Sequence, residues 1–449
     1  MKKIILFSLA AFAALASPQD LQTSDIVIKL IGKDKPAIAV PDLRGSGATQ
    51  QFMSAFNGTL FADLETAGLF QMASKSVYPL EIPQRPQDFR QPAAGAPANG
   101  LWLTGWSNPP VNATYLTFGY AGESNNQFVF YGWLYNVKQP DLANAQMIGK
   151  TYLGSIDAAG ATKVAHEFAS DILKLFGVES LFGTKIYFVS NRSGNKEMWT
   201  MDFDGQNQKM VTFYKTITTM PSISMDGARL AFTSFLSGNP QIVVHSTETN
   251  RRLPFFNQQA SLNAGMSFMP DGKHVIYSSS ISGHPNLYTA DLNGASIRRL
   301  TSGRYIDVEP KINPKTGNDV VFVSGRGGPQ QIYRMGIEGT DVERLTSGEG
   351  QASNPSWHPT GTHIAFSWTR GYDPGNFNVF IMDVADKHYV QLTHGAGRNE
   401  NPCWAPDGRH LVFASNRSGS MQIYTMLADG TQVRQLTSRG RNEMPVWGK

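Results

Sequence analysis

Three histidines hold matching places in the chain. His274, His363 and His410 each stand two residues after a turn glycine, at Gly272, Gly361 and Gly408. Imidazole is the commonest metal donor, so such a set must be tested as a metal site. Matching places in successive copies of a repeat put the three in different copies, and a structural role is the expectation. Asp202 and Asp204 before Gly205 have the makings of a calcium loop, yet they fall in a hairpin between two strands. His166 and Asp171 lie on one helix, where a histidine and a carboxylate could act as acid and base. A partly exposed helix position is the plainer reading of His166. Cys403 sits beside Trp404 in a strand and reads as core rather than nucleophile. There is no Gly-x-Ser-x-Gly elbow, no His-Glu-x-x-His pair and no phosphate-binding glycine loop. The expectation is a non-catalytic protein with no cofactor and no metal.

Composition narrows the class further. A chain of 449 residues exceeds what one hydrophobic core usually supports, so two structural units are expected. Lys2 and Lys3 precede an apolar run from Ile4 to Ala16, with small residues at Ala14 and Ala16. Residues 1–16 therefore read as a signal peptide, and the rest as an exported protein with no direct membrane insertion. The single cysteine excludes an internal disulfide. Loss of two lysines with the signal lowers the formal charge from +4 to +2, and no basic block argues for nucleic acid.

From about residue 183 the chain repeats. One copy runs Pro402-Cys-Trp-Ala-Pro-Asp-Gly408, Leu411-Val-Phe-Ala-Ser415, Asn-Arg-Ser-Gly419, Ile423-Tyr-Thr-Met426 and Leu436-Thr437. The corresponding serines Ser190, Ser234, Ser279, Ser324, Ser367 and Ser415 are 44, 45, 45, 43 and 48 residues apart. Four short strands in such a period describe a propeller blade, and six copies describe a six-bladed all-β propeller. The first copy lacks its leading strand, while Pro445-Val-Trp447 is an extra one at the end. That fragment is expected to close the ring across residues 181–449. Glu309, Asn354 and Asn401 directly precede inner-strand prolines, and Glu443 stands one step further out. These four could ring one mouth of the channel as a partner surface, or simply cap loop backbone. Arg370, Tyr372 and Asp373 lie in an insertion expected beside that mouth. Gly265 reads as the replacement for one inner-strand proline.

Residues 17–180 lie outside the repeat. Phe52, Phe56, Leu60 and Leu64 recur at a helical spacing, as do Val164, Phe168, Ile172 and Leu175. Strand-like runs stand at Pro36–Pro41, Leu69–Met72, Tyr115–Phe118 and Phe128–Tyr131. A small α/β domain results. The proline-rich stretch 79–100 is expected to be an exposed loop.

Taken with Ile38-Ala-Val-Pro41, Asp63-Leu-Glu-Thr-Ala-Gly-Leu-Phe70, His166-Glu-Phe-Ala-Ser-Asp171 and Phe182-Gly183, the chain resembles the TolB family, the periplasmic component of the Tol–Pal system. The resemblance implies a periplasmic protein that links inner-membrane Tol proteins to the peptidoglycan-associated lipoprotein. It also implies a role in outer-membrane integrity and cell division. By the same resemblance the tail from Ser17 to about Lys29, with Asp20 and Asp25, is the candidate segment for a TolA-like inner-membrane protein. The channel mouth is then the candidate lipoprotein site. Two other classes stay open: an unrelated exported binding or scaffold propeller, and a periplasmic carbohydrate-active enzyme. The enzyme would need two carboxylates converging in the channel.

Overall fold

The computed structural model describes residues 35–93 and 99–449, together with Asp25, Ile31 and Gly32. The signal peptide and most of the tail, Ser17 and Asp20 included, lie outside the described residues; Asp25 is helical and exposed. The first unit is a six-stranded sheet of β1 (Ala37–Ala39), β2 (Arg44–Gly45), β3 (Gln71–Met72), β4 (Tyr115–Ser124), β5 (Gln127–Asn136) and β6 (Gln146–Ser155), ordered β3-β1-β4-β5-β6 with β2 beside β4. Helices α1 (Met53–Thr66) and α2 (Ala158–Leu175) cover one face. Their apolar stripes, Phe56, Leu60 and Leu64 on α1 and Val164, Phe168 and Ile172 on α2, are wholly buried against Phe128 and Phe130. Asp157 caps α2 by accepting from the Gly160 amide at 2.7 Å.

Two expectations for this unit need correction. The stretch 79–100 is not exposed throughout, since Phe89 is buried in it, and the segment that follows it carries buried residues as well. Phe89 stacks on Tyr135 at 5.4 Å, and Trp106 is fully buried, its indole donating to the Gly100 carbonyl at 2.7 Å. Aromatic residues spaced through the prolines supply a second apolar layer on the outer sheet face. His166 is buried and meets Asp63 at 2.6 Å, not Asp171. Asp171 instead accepts from Lys150 and Tyr152 at 2.6 and 2.8 Å, tying α2 to β6.

The second unit is a six-bladed β-propeller of four-stranded antiparallel sheets. Its inner strands are Thr218–Ile223, Asn263–Phe268, Asp307–Ile312, Ala352–Trp357, Asn399–Trp404 and Asn442–Gly448. Each contacts the next, and the last contacts the first. The repeat motifs have separate jobs. In five blades the threonine after the last leucine or valine (Thr212, Thr301, Thr346, Thr393, Thr437) accepts a third-strand amide at 2.9–3.0 Å, pinning the short outer strand. Blade 2 has proline there, and Asn257 substitutes with a reciprocal pair of 2.9 Å bonds to Ile242. The arginine of Asn-Arg-Ser-Gly lies over aromatic rings and forks between two strands. Arg417 donates to Ser415 at 3.0 Å and to Asn399 at 2.8 Å; Arg192 reaches Ser190 and the C-terminal Asn442 in the same way. Asn442–Gly448 pairs with Lys185–Ser190, so blade 1 is built from both ends of the ring.

The two units lock together at the turn end of blade 6. Arg409 follows the Pro-Asp-Gly turn and donates to the carbonyls of Ala67, Ile31 and Gly68 at 3.2, 3.0 and 3.2 Å. These carbonyls include the C-terminal ones of α1, which have no partner within the helix. His410 meets the Thr66 carbonyl at 2.7 Å and Asp407 at 2.6 Å. His166 stacks on Phe182 of the linker at 4.6 Å and meets Phe203 of blade 1 edge-on. Burial raises the Asp63 carboxyl beside it, against the pull of His166.

Two predictions follow from closure and from this lock. Deleting residues 444–449 removes the Trp447 indole, buried and bonded to Thr184 at 2.9 Å, together with most of the inner strand Asn442–Gly448. Thermal unfolding is expected about 10 °C or more below the parent, since burying one large aromatic is worth roughly 3–5 kcal/mol. A melting point within about 2 °C of the parent would contradict ring closure. The second concerns pH. A carbonyl and a carboxylate both only accept, so both contacts of His410 require the imidazolium. Burial and Arg409 pull His410 down, but Asp407 and the Thr66 carbonyl outweigh them and hold it above its ordinary value, while Asp407 is held low. A raised folded value means stabilisation that is full below about pH 6.5 and disappears as pH rises through the folded pKa. The stability difference between the parent and His410→Asn is expected to shrink over that rise, read by denaturant melts across pH.

Candidate protein-binding site

Each inner strand carries the same distortion. Two residues oppose one on the neighbouring strand: Met220-Pro221 opposite Phe232, Gly265-Met266 opposite Tyr277, Glu309-Pro310 opposite Phe322, and so on round the ring. The first residue of every pair is left-handed: Met220, Gly265, Glu309, Asn354, Asn401 and Met444 have φ of 51–64°. This is a β-bulge, which bends a strand and re-aims its side chain. Proline fits the second place because a bulge spares it a ladder hydrogen bond. The structure corrects the reading of Gly265: Met266 fills the proline's place, and Gly265 takes the left-handed one.

Those six residues line one central cavity of about 420 Å³. Glu309, Asn354 and Asn401 are brought together there as the sequence suggested. Glu309 accepts from the Asn354 amide N–H at 2.7 Å and from its side chain at 3.2 Å, and burial raises its carboxyl. Glu443 is not on the cavity wall. It stands one residue before the bulge, buried behind the rim, paired with Lys196 and with Arg441 at 3.0 Å. Met444 takes the place in the ring. The insertion of blade 5 also sits differently. The inner strand of that blade begins with Ala352, which offers no acceptor, so Arg370 lies over Trp368 and Tyr389 at 5.0 and 5.5 Å. Tyr372 accepts from Gln391 of the outermost strand at 2.8 Å, and Asp373 is exposed. These three face the outer edge of the blade rather than the channel.

The loop end of the propeller, opposite the first unit, is divided. Blades 1, 4, 5 and 6 carry an arginine after the second strand (Arg192, Arg326, Arg370, Arg417), but blades 2 and 3 carry Leu236 and Ile281. Before the inner strands of blades 2 and 4 stand Ile217 and Ile306, where blades 6 and 1 have Arg398 and Arg441. Ile217, Leu236, Ile281 and Ile306 are 46–48% exposed, and Phe213 is more so. An apolar arc over blades 2–4 therefore faces a polar arc in which Arg398 and Arg441 pair with Glu400 and Glu443. A grouped set of half-exposed aliphatics is the mark of a partner surface. The repeat alignment contained this signal, since each aliphatic stands where another blade has arginine.

The remaining sequence candidates are structural. His274 lies between Asp271 and Asp291, and His363 is 3.6 Å from Asp383. Asp202 pairs with Lys185 and accepts from Asn207 within its hairpin. Cys403 packs against the core shared by blades 6 and 1 and also lines the channel; its sulfur accepts from the Trp447 amide at 3.4 Å, and burial raises the thiol's pKa. Among the described residues no three His, Cys, Asp or Glu side chains are arranged to hold a metal ion. The cavity's carboxylates are Glu309 at the bulge level and Glu179 at the turn end, the latter 3.4 Å from Lys449.

Comparison with known proteins agrees with this architecture. A family profile described as the TolB beta propeller domain matches residues 173–373 and 347–449. The "Protein TolB homolog" of Chlorobium chlorochromatii is 30% identical over 67% of this chain and 64% of its own length. The "Tol-Pal system protein TolB" of Anaeromyxobacter dehalogenans is 29% identical over 68% of this chain and 65% of its own. The chain thus spans a little under two thirds of these relatives. The crystal structure of TolB from Acinetobacter baumannii superimposes with a TM-score of 0.75 at 23% identity, covering 92% of this chain and 97% of that one, which extends the likeness of fold to the first unit. With its six blades matched throughout by the family profile, the chain belongs to the TolB family.

Proposed function

We propose that the chain is a non-catalytic, periplasmic protein–protein interaction component of the Tol–Pal system, with the peptidoglycan-associated lipoprotein as partner at the loop end of the propeller. Family membership supports the periplasmic location and the system. The observation that carries the docking reading is the rim itself. Left-handed backbone costs an ordinary side chain about 1–2 kcal/mol, yet Met220, Glu309 and Met444 all adopt it, beside an apolar arc left open to solvent. Backbone strain of this kind gathers where a surface is kept for binding. The tail with Ser17, Asp20 and Asp25 is the proposed segment for a TolA-like inner-membrane protein. Linking two partners then needs two separate binding segments on one chain.

The test uses the lipoprotein from the same envelope and calorimetry. Leu236→Asp and Ile281→Asp are each expected to weaken binding about tenfold or more, close to 1.4 kcal/mol, with unchanged melting points. Leu80→Asp, on an exposed residue of the first unit, is the control and should bind as the parent does. Full affinity in both arc variants would remove the apolar arc from the site. Removing residues 17–29 should abolish capture of the inner-membrane partner and spare the lipoprotein.

A further inference from the structure

We infer that the interior of the propeller channel is a binding site for a small organic anion, a carboxylate with an apolar body, held by the Lys311 ammonium. The inference concerns the channel's interior and stands apart from docking at the rim.

The first residue to rejoin the ladder after each bulge points to the same space. In blade order from blade 2 these are Ser222, Ser267, Lys311, Ser356, Cys403 and, closing the ring, Val446, and all six line the cavity. Five are short and uncharged, and the sixth is a lysine. The short side chains leave the roughly 420 Å³ open, and the long one supplies the only charge at that level. A volume of that order is what small-ligand sites have.

Lys311 makes no ion pair and no side-chain hydrogen bond among the described residues. Glu309 lies on the same strand, but its carboxyl is engaged by Asn354 and is not within ion-pairing distance of the ammonium. The side chain is half-buried on the cavity wall with Glu309 as its nearby carboxylate, and an ammonium held there without a direct ion pair is poorly compensated. In agreement, burial pulls Lys311 below its ordinary pKa. An incoming carboxylate would supply the missing charge, and the hydroxyls of Ser267 and Ser356 lie at the same level for further hydrogen bonds. A bare inorganic anion would leave the apolar wall, including Met220, Met266 and Met444, without contact. The wall therefore selects an anion with a hydrocarbon part.

The test is methyl NMR on the full chain labelled in its methionines, with no partner protein present. Met220 and Met444 report from the cavity wall, assigned by their leucine variants. Hexanoate is expected to move both signals saturably, with an affinity about tenfold or more above hexanol and hexylamine, the contribution of one charge-assisted contact. Lys311→Leu should lose that advantage while keeping its melting point, and Leu80→Asp, on an exposed residue of the first unit, should keep it. No saturable shift at millimolar hexanoate, equal binding of hexylamine, or unchanged affinity in Lys311→Leu would each overturn the inference. Such a failure leaves the docking reading untouched, because lipoprotein binding is measured separately on rim variants.

Discussion

Each of the six inner strands bends as it passes the axis. The bend here is a two-for-one bulge, repeated at Met220-Pro221, Gly265-Met266, Glu309-Pro310, Asn354-Pro355, Asn401-Pro402 and Met444-Pro445. Everything proposed for the site depends on that distortion. It turns the left-handed residue toward the mouth and the residue two places on toward the interior, and it explains why proline is tolerated in the innermost strand of a sheet. The rim and the channel floor are thus two consequences of one backbone feature.

A second constraint fixes the propeller to the smaller unit. The carbonyl end of α1 would leave unpartnered acceptors, and Arg409 and His410 of blade 6 satisfy them, as does Gln432 toward Glu65 at 3.0 Å. Gly68 is required at this place. Its φ is 62°, and an added Cβ would come within 2.5 Å of the buried Leu427. The motifs that carried the family resemblance, around Asp63 to Phe70, at His166 and at Phe182, all meet the propeller here. In this chain they are where the two domains fit together, a demand that a lone blade motif does not meet.

Much of this was legible in the sequence. The six-fold period, the orphan strand at 445–447 and the stripes of α1 and α2 follow from strand length, turn chemistry and helical spacing, all local properties. The rim was half legible. Glu309, Asn354 and Asn401 are polar residues before prolines, whereas Met220 and Met444 look like core, and Met266 hides the bulge of blade 3 by standing where a proline is expected. His166 was placed beside the wrong carboxylate because its partner, Asp63, is 103 residues away and reaches it only through the packing of α1 on α2. The burial of Phe89 and Trp106 was masked by the prolines between them, which suggest a loop whether or not its aromatic side chains find a sheet to cover.

The central claim is that the rim residues are held left-handed by the bulge, and it has a direct thermodynamic test. In an ordinary strand alanine is more stable than glycine by roughly 0.5–1 kcal/mol, but at a left-handed residue the order reverses by about 1–2 kcal/mol. Paired alanine and glycine variants at Met220, Glu309 and Met444 should be compared by denaturant unfolding. The account predicts the glycine variant to be the more stable of each pair, whatever the loss of the side chain itself costs. Greater stability of the alanine variant at all three positions would contradict it.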